Sequence, residues 1–303
     1  MSILSSLRSS LSKTNIDFMK VHKPALVMSV IFIFASLAIV FVKGLNFGID
    51  FAGGILIEAR IEKNFDVAKI RELLTAQIRD VQIQNIDQKD ILIRVAKTDE
   101  EQSLVIKKIE EILNANFKNI EYRKIDYVGP QVGSELILKG VMALLLSFIF
   151  IMIYIWVRFD WQFGLGGIFA LLHDTALTLG FYAVTGLEFN LTSIAAILTI
   201  IGYSINDSVV IYDRIRENLR RYKKMDLSYI INSSANSTLS RTVLTSGITL
   251  ISLLALILFG GDVLFSFSMA TFFGITVGTY SSIYISAPIL LYCDPRNKKN
   301  DNL

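Results

Sequence analysis

Six apolar runs, each of bilayer-crossing length, punctuate the chain at about Ala25–Val42, Gly140–Val157, Gly164–Gly186, Leu191–Tyr212, Val243–Phe259 and Val263–Tyr292. Crossing the hydrocarbon takes about 20 residues of helix. The pattern predicts a polytopic α-helical membrane protein with six transmembrane helices. The sixth run exceeds one crossing, and Pro288 is expected to bend it or to mark its interfacial end.

Between the first two runs the pattern changes. From about Lys43 to Lys139 the chain is charged and too long for a plain loop. ILIEARIE alternates Ile55, Ile57, Ala59 and Ile61 with Glu58, Arg60 and Glu62, the period of a half-buried strand. Val67, Ile70, Leu73, Leu74 and Ile78 then recur at helical spacing between Asp66 and Asp80. VQIQNI and ILIRVA alternate around a polar turn, Asp87 to Asp90. Thr98 with Glu101 resembles a capping box, opening a helix expected to bury Val105, Ile109 and Ile112. The last strand, IEYRKIDYV, slips phase between Tyr122 and Ile125, as a bulge would. The order βαββαβ predicts an external α+β, ferredoxin-like domain at 44–138, with two helices on one face of an antiparallel sheet. It has no evident metal-ligand cluster and no nucleophile–base pairing, so a binding or moving module is expected, not an enzyme.

Composition agrees with a membrane protein: 52% hydrophobic and 19% charged residues, against about 25% charged in soluble domains. Cys293 is the sole cysteine, so no intramolecular disulfide is available. The first run lacks a small-residue cleavage site and is expected to be retained as a span at 25–43. Net charge, +3 overall, informs only when mapped. Arg8, Lys13, Lys20 and Lys23 precede the first span, Arg158 lies between the second and third, and Arg214 to Lys224 follow the fourth. Arg296, Lys298 and Lys299 lie in the tail, whereas the opposite short loops hold only Glu188 and Asp262. The positive-inside tendency then predicts both termini (1–24 and 293–303) and a loop at about 213–241 on the cytoplasmic side of the membrane.

The candidate chemistry is intramembrane. Asp207 lies about five residues before the expected end of the fourth run, roughly 7 Å below the interface. Arg241 opens the fifth run from the same side, so the two are expected to meet at similar depth. An ionised carboxylate in hydrocarbon is costly unless paired or protonated. Asp207 therefore reads either as a group that changes protonation or as half of a structural ion pair. Ser204, Asn206 and Ser208 supply polar neighbours, and Asn206 also reads as helix–helix glue. His173 and Asp174, deeper in the third run, read equally as a proton relay or as a buried hydrogen-bonded pair. Asp213, Arg214, Arg216 and Glu217 read as a solvated anchor. Gly274, Gly278 and Ser282 form a small-xxx-small packing row. Asp174 and Asp207 also invite an intramembrane aspartyl dyad, but their depths differ and no GxGD-like motif accompanies them.

Four fragments carry a resemblance: FGIDFAGG at 47–54, VGPQVGSEL at 128–136, HDTALTLG at 173–180 and IGYSINDSVVIYDRIRE at 201–217. Together they resemble the SecF family of protein-export membrane proteins, of the SecD/SecF type within the resistance-nodulation-division superfamily. Gly48, Asp50, Gly53, Gly54 and Gly202 belong to these signatures. The resemblance implies use of the proton-motive force without a cofactor, with Na⁺ as the alternative coupling ion. It implies SecD, the SecYEG channel, translocating preprotein and membrane lipids as partners, with no nucleic acid. It also implies an external domain that moves as protons pass, assisting late steps of export. In the family, the Asp of the GYSxND motif and an Arg on the next span are implicated in proton passage, and these map onto Asp207 and Arg241. The chain has the length of one half of a pseudo-symmetric assembly, so an obligate hetero-complex is expected. The alternative is a proton-driven small-molecule or lipid exporter subunit of the same superfamily.

Overall fold

A computed structural model of the chain describes residues 15–61, 65–78, 81–85, 89–95 and 101–296. In chain order a 3-10 turn, Phe18–Val21, leads into α1 (His22–Lys43). Then come β1 (Asn46–Phe47), α2 (Ile49–Ala52), β2 (Gly54–Ile61), α3 (Val67–Thr75), β3 (Val81–Asn85), β4 (Asp90–Val95), α4 (Gln102–Asn116) and β5 (Ile120–Val128). The chain continues through α5 (Pro130–Arg158), α6 (Trp161–Thr185), β6 (Glu188–Phe189), α7 (Leu191–Arg221), α8 (Leu227–Phe259) and α9 (Gly261–Ser281). A π turn, Ser282–Ser286, and a 3-10 turn, Pro288–Leu291, follow.

Two compact units result. One, the α/β unit, comprises Asn46–Ala143 with Glu188–Thr192; the other, a helical unit, holds the remainder. In the first, the strand order is β3-β4-β2-β5 with every neighbour antiparallel, the ferredoxin-like arrangement that the alternation predicts. Ile55, Ile57, Ala59 and Ile61 of β2 are buried with Ile91, Ile93 and Val95 of β4 against Ile70 and Leu74 of α3 and Val105, Ile109 and Leu113 of α4. Each such aliphatic side chain contributes about 1.5–3 kcal/mol on burial. Leu113 takes the buried place expected of Ile112, which is only partly covered. The expected bulge is present. Glu58 pairs with Lys124 but Ala59 pairs with Tyr122, leaving Arg123 as the extra residue. Thr98 of the expected capping box and residues 86–88 of the polar turn lie outside the described residues, and Glu101 caps α4 without a side-chain hydrogen bond.

Six helices are long and apolar enough to cross a membrane: Phe18–Lys43, Val132–Arg158, Trp161–Thr185, Leu191–Arg221, Leu227–Phe259 and Leu264–Leu291. The expected loop at 213–241 is corrected: α7 runs on to Arg221, α8 starts at Leu227, and only 222–226 connect them. Hydropathy falls there because one side of α7 is charged and α8 opens with serines, asparagines and a threonine, but another side of each helix is apolar. Ile211, Ile215, Leu227, Ile230, Ile231 and Ala235 are all buried in one cluster. This extension also anchors the chain ahead of α1. Asn232 accepts the Phe18 backbone N–H at 2.8 Å, and Asn236 accepts that of Ile16 at 2.8 Å while donating to the Ile16 carbonyl. Regular helix in the sixth span ends before Pro288, first widening into the π turn, where Ser286 meets the Tyr212 hydroxyl at 2.5 Å.

Candidate functional site

The glycine-rich signature after the first span folds into a structural knot within the α/β unit. β1 pairs in parallel with β6, and the Gly48 N–H donates to the Phe189 carbonyl at 2.9 Å. A side chain at Gly48 would run into the Glu188 carboxylate, which pairs with Arg94. The Asp50 carboxylate accepts the Leu191 backbone N–H at 3.0 Å, at the first turn of α7. Phe51, Phe47 and Phe189 pack with ring centroids 5.8–6.1 Å apart. Gly53, at φ 75° and ψ 166°, occupies a backbone region that only glycine enters cheaply. Gly54 follows at φ 135° and opens β2.

Asp174 is completely buried in the helical unit. Its Oδ1 lies 2.9 Å from His173 Nδ1, and its Oδ2 accepts from Ser204 Oγ at 2.6 Å and Ser281 Oγ at 2.7 Å. Three elements, α6, α7 and α9, thus converge on one carboxylate. The packing row allows this approach. A Cβ at Gly278 would stand 3.1 Å from Ser204 Cβ, and one at Gly274 would strike Ile200.

Asp207 is as deeply placed, at 3% exposure, but far less satisfied. Ser246 Oγ is its hydrogen-bond partner among the described residues, at a long 3.4 Å; Ser246 also meets Thr279 Oγ1 at 2.9 Å. A carboxylate offers about four acceptor positions, so most of its capacity is unused. Ser208 Oγ and Thr242 Oγ1, one residue on from Asp207 and from Arg241, are likewise buried without a partner among the described residues. The sequence places Arg241 at the opening of a span, facing Asp207; the structure places it four turns into α8, exposed, with no ion pair to Asp207 among the described residues. Asn206 and Gly202 are exposed on the outer side of α7. Among the described residues Asp174 and Asp207 share no hydrogen-bonding partner, Asp174 meeting His173, Ser204 and Ser281 and Asp207 meeting Ser246.

Of the serine hydroxyls that reach the two carboxylates, Ser204 stands out in the sequence beside Asp207, but Ser246 and Ser281 do not, because serines in spans ordinarily bond back to their own helix. A second omission lies in the α/β unit. Asp90, 6% exposed at the start of β4, receives both Arg60 nitrogens at 2.7 and 2.8 Å and Arg123 Nη1 at 3.3 Å. The Arg60 hydrogen bond, with the nearby Arg123 charge, holds the Asp90 carboxyl below its ordinary value despite burial. Among the described residues no group of three His, Cys, Asp or Glu side chains is placed to hold a metal.

The chain matches the family description "Protein export membrane protein SecD/SecF, C-terminal" over residues 108–296 and "SecD/SecF GG Motif" over 38–64. It is 54% identical over 283 residues to protein translocase subunit SecF of Rickettsia bellii, covering 92% of this chain and 93% of the relative. The Rickettsia conorii subunit is also 54% identical, over 92% of each chain. Among solved structures it is similar to SecDF, a translocon-associated membrane protein from Thermus thermophilus, with TM-score 0.83 and 37% identity. It covers 93% of this chain and 39% of that one. SecDF in the super-membrane-facing form gives TM-score 0.72 at 38% identity, covering 94% of this chain and again 39% of the other. With translocase subunits as relatives, the chain is a transport component and not an enzyme. Six apolar spans, a ferredoxin-like sheet, the double-glycine turn and these matches lead to one assignment: the chain belongs to the SecF family of protein translocase subunits.

Proposed function

We propose that the chain uses the proton-motive force, together with SecD, to assist late extracytoplasmic steps of export through SecYEG, and that Asp207 is the group that gains and loses the proton. The observation that carries this reading is the contrast between two buried carboxylates. Asp174 is tied to three side chains, whereas Asp207 has one long hydrogen bond. A proton carrier needs free acceptor positions and a partner that can come and go; a structural acid does not. Arg241 is that partner, acting across a gap that shortens or lengthens as the helices shift, and Asp174 is a structural node.

The outer side of α7 and α8 supports a partner half. Arg241, Asn206 and Thr199 are polar, exposed and within membrane spans, where lipid is a poor neighbour for them. A second set of spans, supplied by SecD, would cover them. The chain corresponds to 39% of the solved SecDF chain, which supports reading proton passage as a property of a complex with SecD. In this reading both termini are cytoplasmic, the α/β unit is extracytoplasmic, preprotein is the cargo, and Na⁺ is the alternative ion. The test is export of a preprotein into inverted membrane vesicles with and without a proton gradient. Asp207→Asn should assemble normally yet lose the gradient-dependent part of export. Full gradient-dependent export by that variant would overturn the proposal.

A further inference from the structure

Two adjoining clefts lie at the end of the helical unit where α7 emerges. One, of about 400 Å³, is lined by Arg158, Asp213, Arg216, Glu217, Arg220 and Arg221. The second, of about 390 Å³, shares Arg216 and Arg220 and adds Asp160, Phe163, Leu219, Lys223, Pro295 and Arg296. Both fall within the ~300–1,000 Å³ typical of ligand sites. Six cations meet three carboxylates here.

Local pairing does not use up the excess positive charge. Asp213 is taken by Arg158 at 2.7 Å, Glu217 by Arg214 at 2.6 Å, and Arg296 by Asp294 at 2.8 Å. Arg216 reaches the Arg158 carbonyl, at 3.0 Å, and lies 6.0 Å from the Phe159 ring centroid. Arg216, Arg220, Arg221 and Lys223 therefore have no carboxylate partner among the described residues. Arg216 and Arg220 line both clefts, Arg221 the first and Lys223 the second, whose other walls are Asp160, Phe163, Leu219, Pro295 and Arg296. The nearby tryptophans fix its depth. Trp156 and Trp161 flank the α5–α6 connection and are 67% and 55% exposed, as interfacial tryptophans at headgroup level are.

From this juxtaposition we propose that the joined clefts bind the phosphodiester headgroup of an anionic membrane phospholipid. The headgroup phosphate sits at Arg216 and Arg220, which line both clefts, with Arg221 on one side and Lys223 on the other, and its acyl chains leave past Leu219. A basic pocket between spans at headgroup depth, with an apolar wall, suits a lipid better than a soluble anion. The site is separate from Asp207 and does not depend on proton coupling.

The test is native mass spectrometry of the full chain purified in mild detergent with its partner subunits. The sample is supplied with phosphatidylglycerol, cardiolipin or phosphatidylcholine. The wild type should retain the two anionic lipids over phosphatidylcholine, and R220Q/K223Q should reduce that retention about tenfold or more. K107Q/K118Q, which removes the same charge from the α/β unit, should not. Neither Arg220 nor Lys223 has a side-chain partner here, so both variants should fold. Equal retention of all three lipids, or an R220Q/K223Q variant that behaves like wild type, would overturn the proposal. If millimolar inorganic phosphate displaces the bound lipid, the occupant is a soluble phosphate-bearing anion and the lipid assignment falls.

Discussion

Asp50 and Leu191 are 141 positions apart, yet the Asp50 carboxylate accepts the Leu191 backbone N–H at 3.0 Å. The first four N–H groups of a helix have no partner inside it. Asp50 supplies one for α7, the helix that carries both Ser204 and Asp207. The signature after the first span thereby specifies where the fourth begins.

Asp50→Ala should destabilise the protein by about 1 kcal/mol, the usual cost of losing an N-terminal cap. Asp50→Asn should retain most of that, because an amide oxygen still accepts. Thermal unfolding in detergent measures the loss, and hydrogen exchange should show faster opening at the first turn of α7 only in the alanine variant.

The two buried acids should separate by phenotype. Removing the Asp174 acceptor as Asp174→Ala leaves Ser204 and His173 without that partner in the interior and Ser281 with only the Gly278 carbonyl, a loss on the order of 1–3 kcal/mol for each unsatisfied group, and the variant should accumulate poorly. Asp174→Asn keeps an oxygen for one serine and should fold and support gradient-driven export. Asp207→Asn should fold equally well and fail at export. Accumulation and export measured side by side on the three variants check this.

Asp90 sets a pH limit for the α/β unit. Arg60 holds its carboxyl below the ordinary 3.8 in the folded state. A depressed folded value stabilises fully above the ordinary one, and this stabilisation is lost as pH falls through the lowered value. Local opening of β4 in the full chain, followed by hydrogen exchange, should increase steeply below pH 3.8. Asp90→Asn should open more readily at neutral pH and lose that acid dependence.

Gly133 lies in α5, where a helix would ordinarily gain about 1 kcal/mol from alanine. A Cβ there would stand 2.6 Å from the Phe51 carbonyl oxygen, a backbone atom that cannot rotate away. Gly133→Ala should therefore lower the melting temperature; Gly164→Ala, with nothing within 4 Å, should not.

What the sequence reveals depends on how local the determining interaction is. The spans, the βαββαβ order and the bulge all follow from periodicities within some ten to twenty residues. The parallel pairing of Asn46–Phe47 with Glu188–Phe189 leaves no such trace, because two-residue strands are too short to alternate. The helical extension beyond Tyr212 was readable, since Leu227, Ile230, Ile231, Ser234 and Ala235 recur at helical spacing, but the surrounding arginines and lysines outweighed it in a hydropathy reading. Asp174 and Asp207 both stand out as intramembrane acids; which one is saturated depends on hydroxyls from other helices. The direction of Arg241 could not be read either, because serines and threonines on several sides of α8 around it leave no clear amphipathic stripe.

The extra residue in β5 bulges out without altering the pairing on either side of it. Upstream of Arg123, Ile120 and Tyr122 lie opposite Ile61 and Ala59; downstream, Lys124 and Ile125 lie opposite Glu58 and Ile57. Deleting position 123 would let Lys124 follow Tyr122 directly, so strict alternation returns with Ile125 and Tyr127 still opposite Ile57 and Ile55. The one-residue deletion would straighten the strand and leave its two faces as they are, while removing one of the two guanidinium groups that reach Asp90.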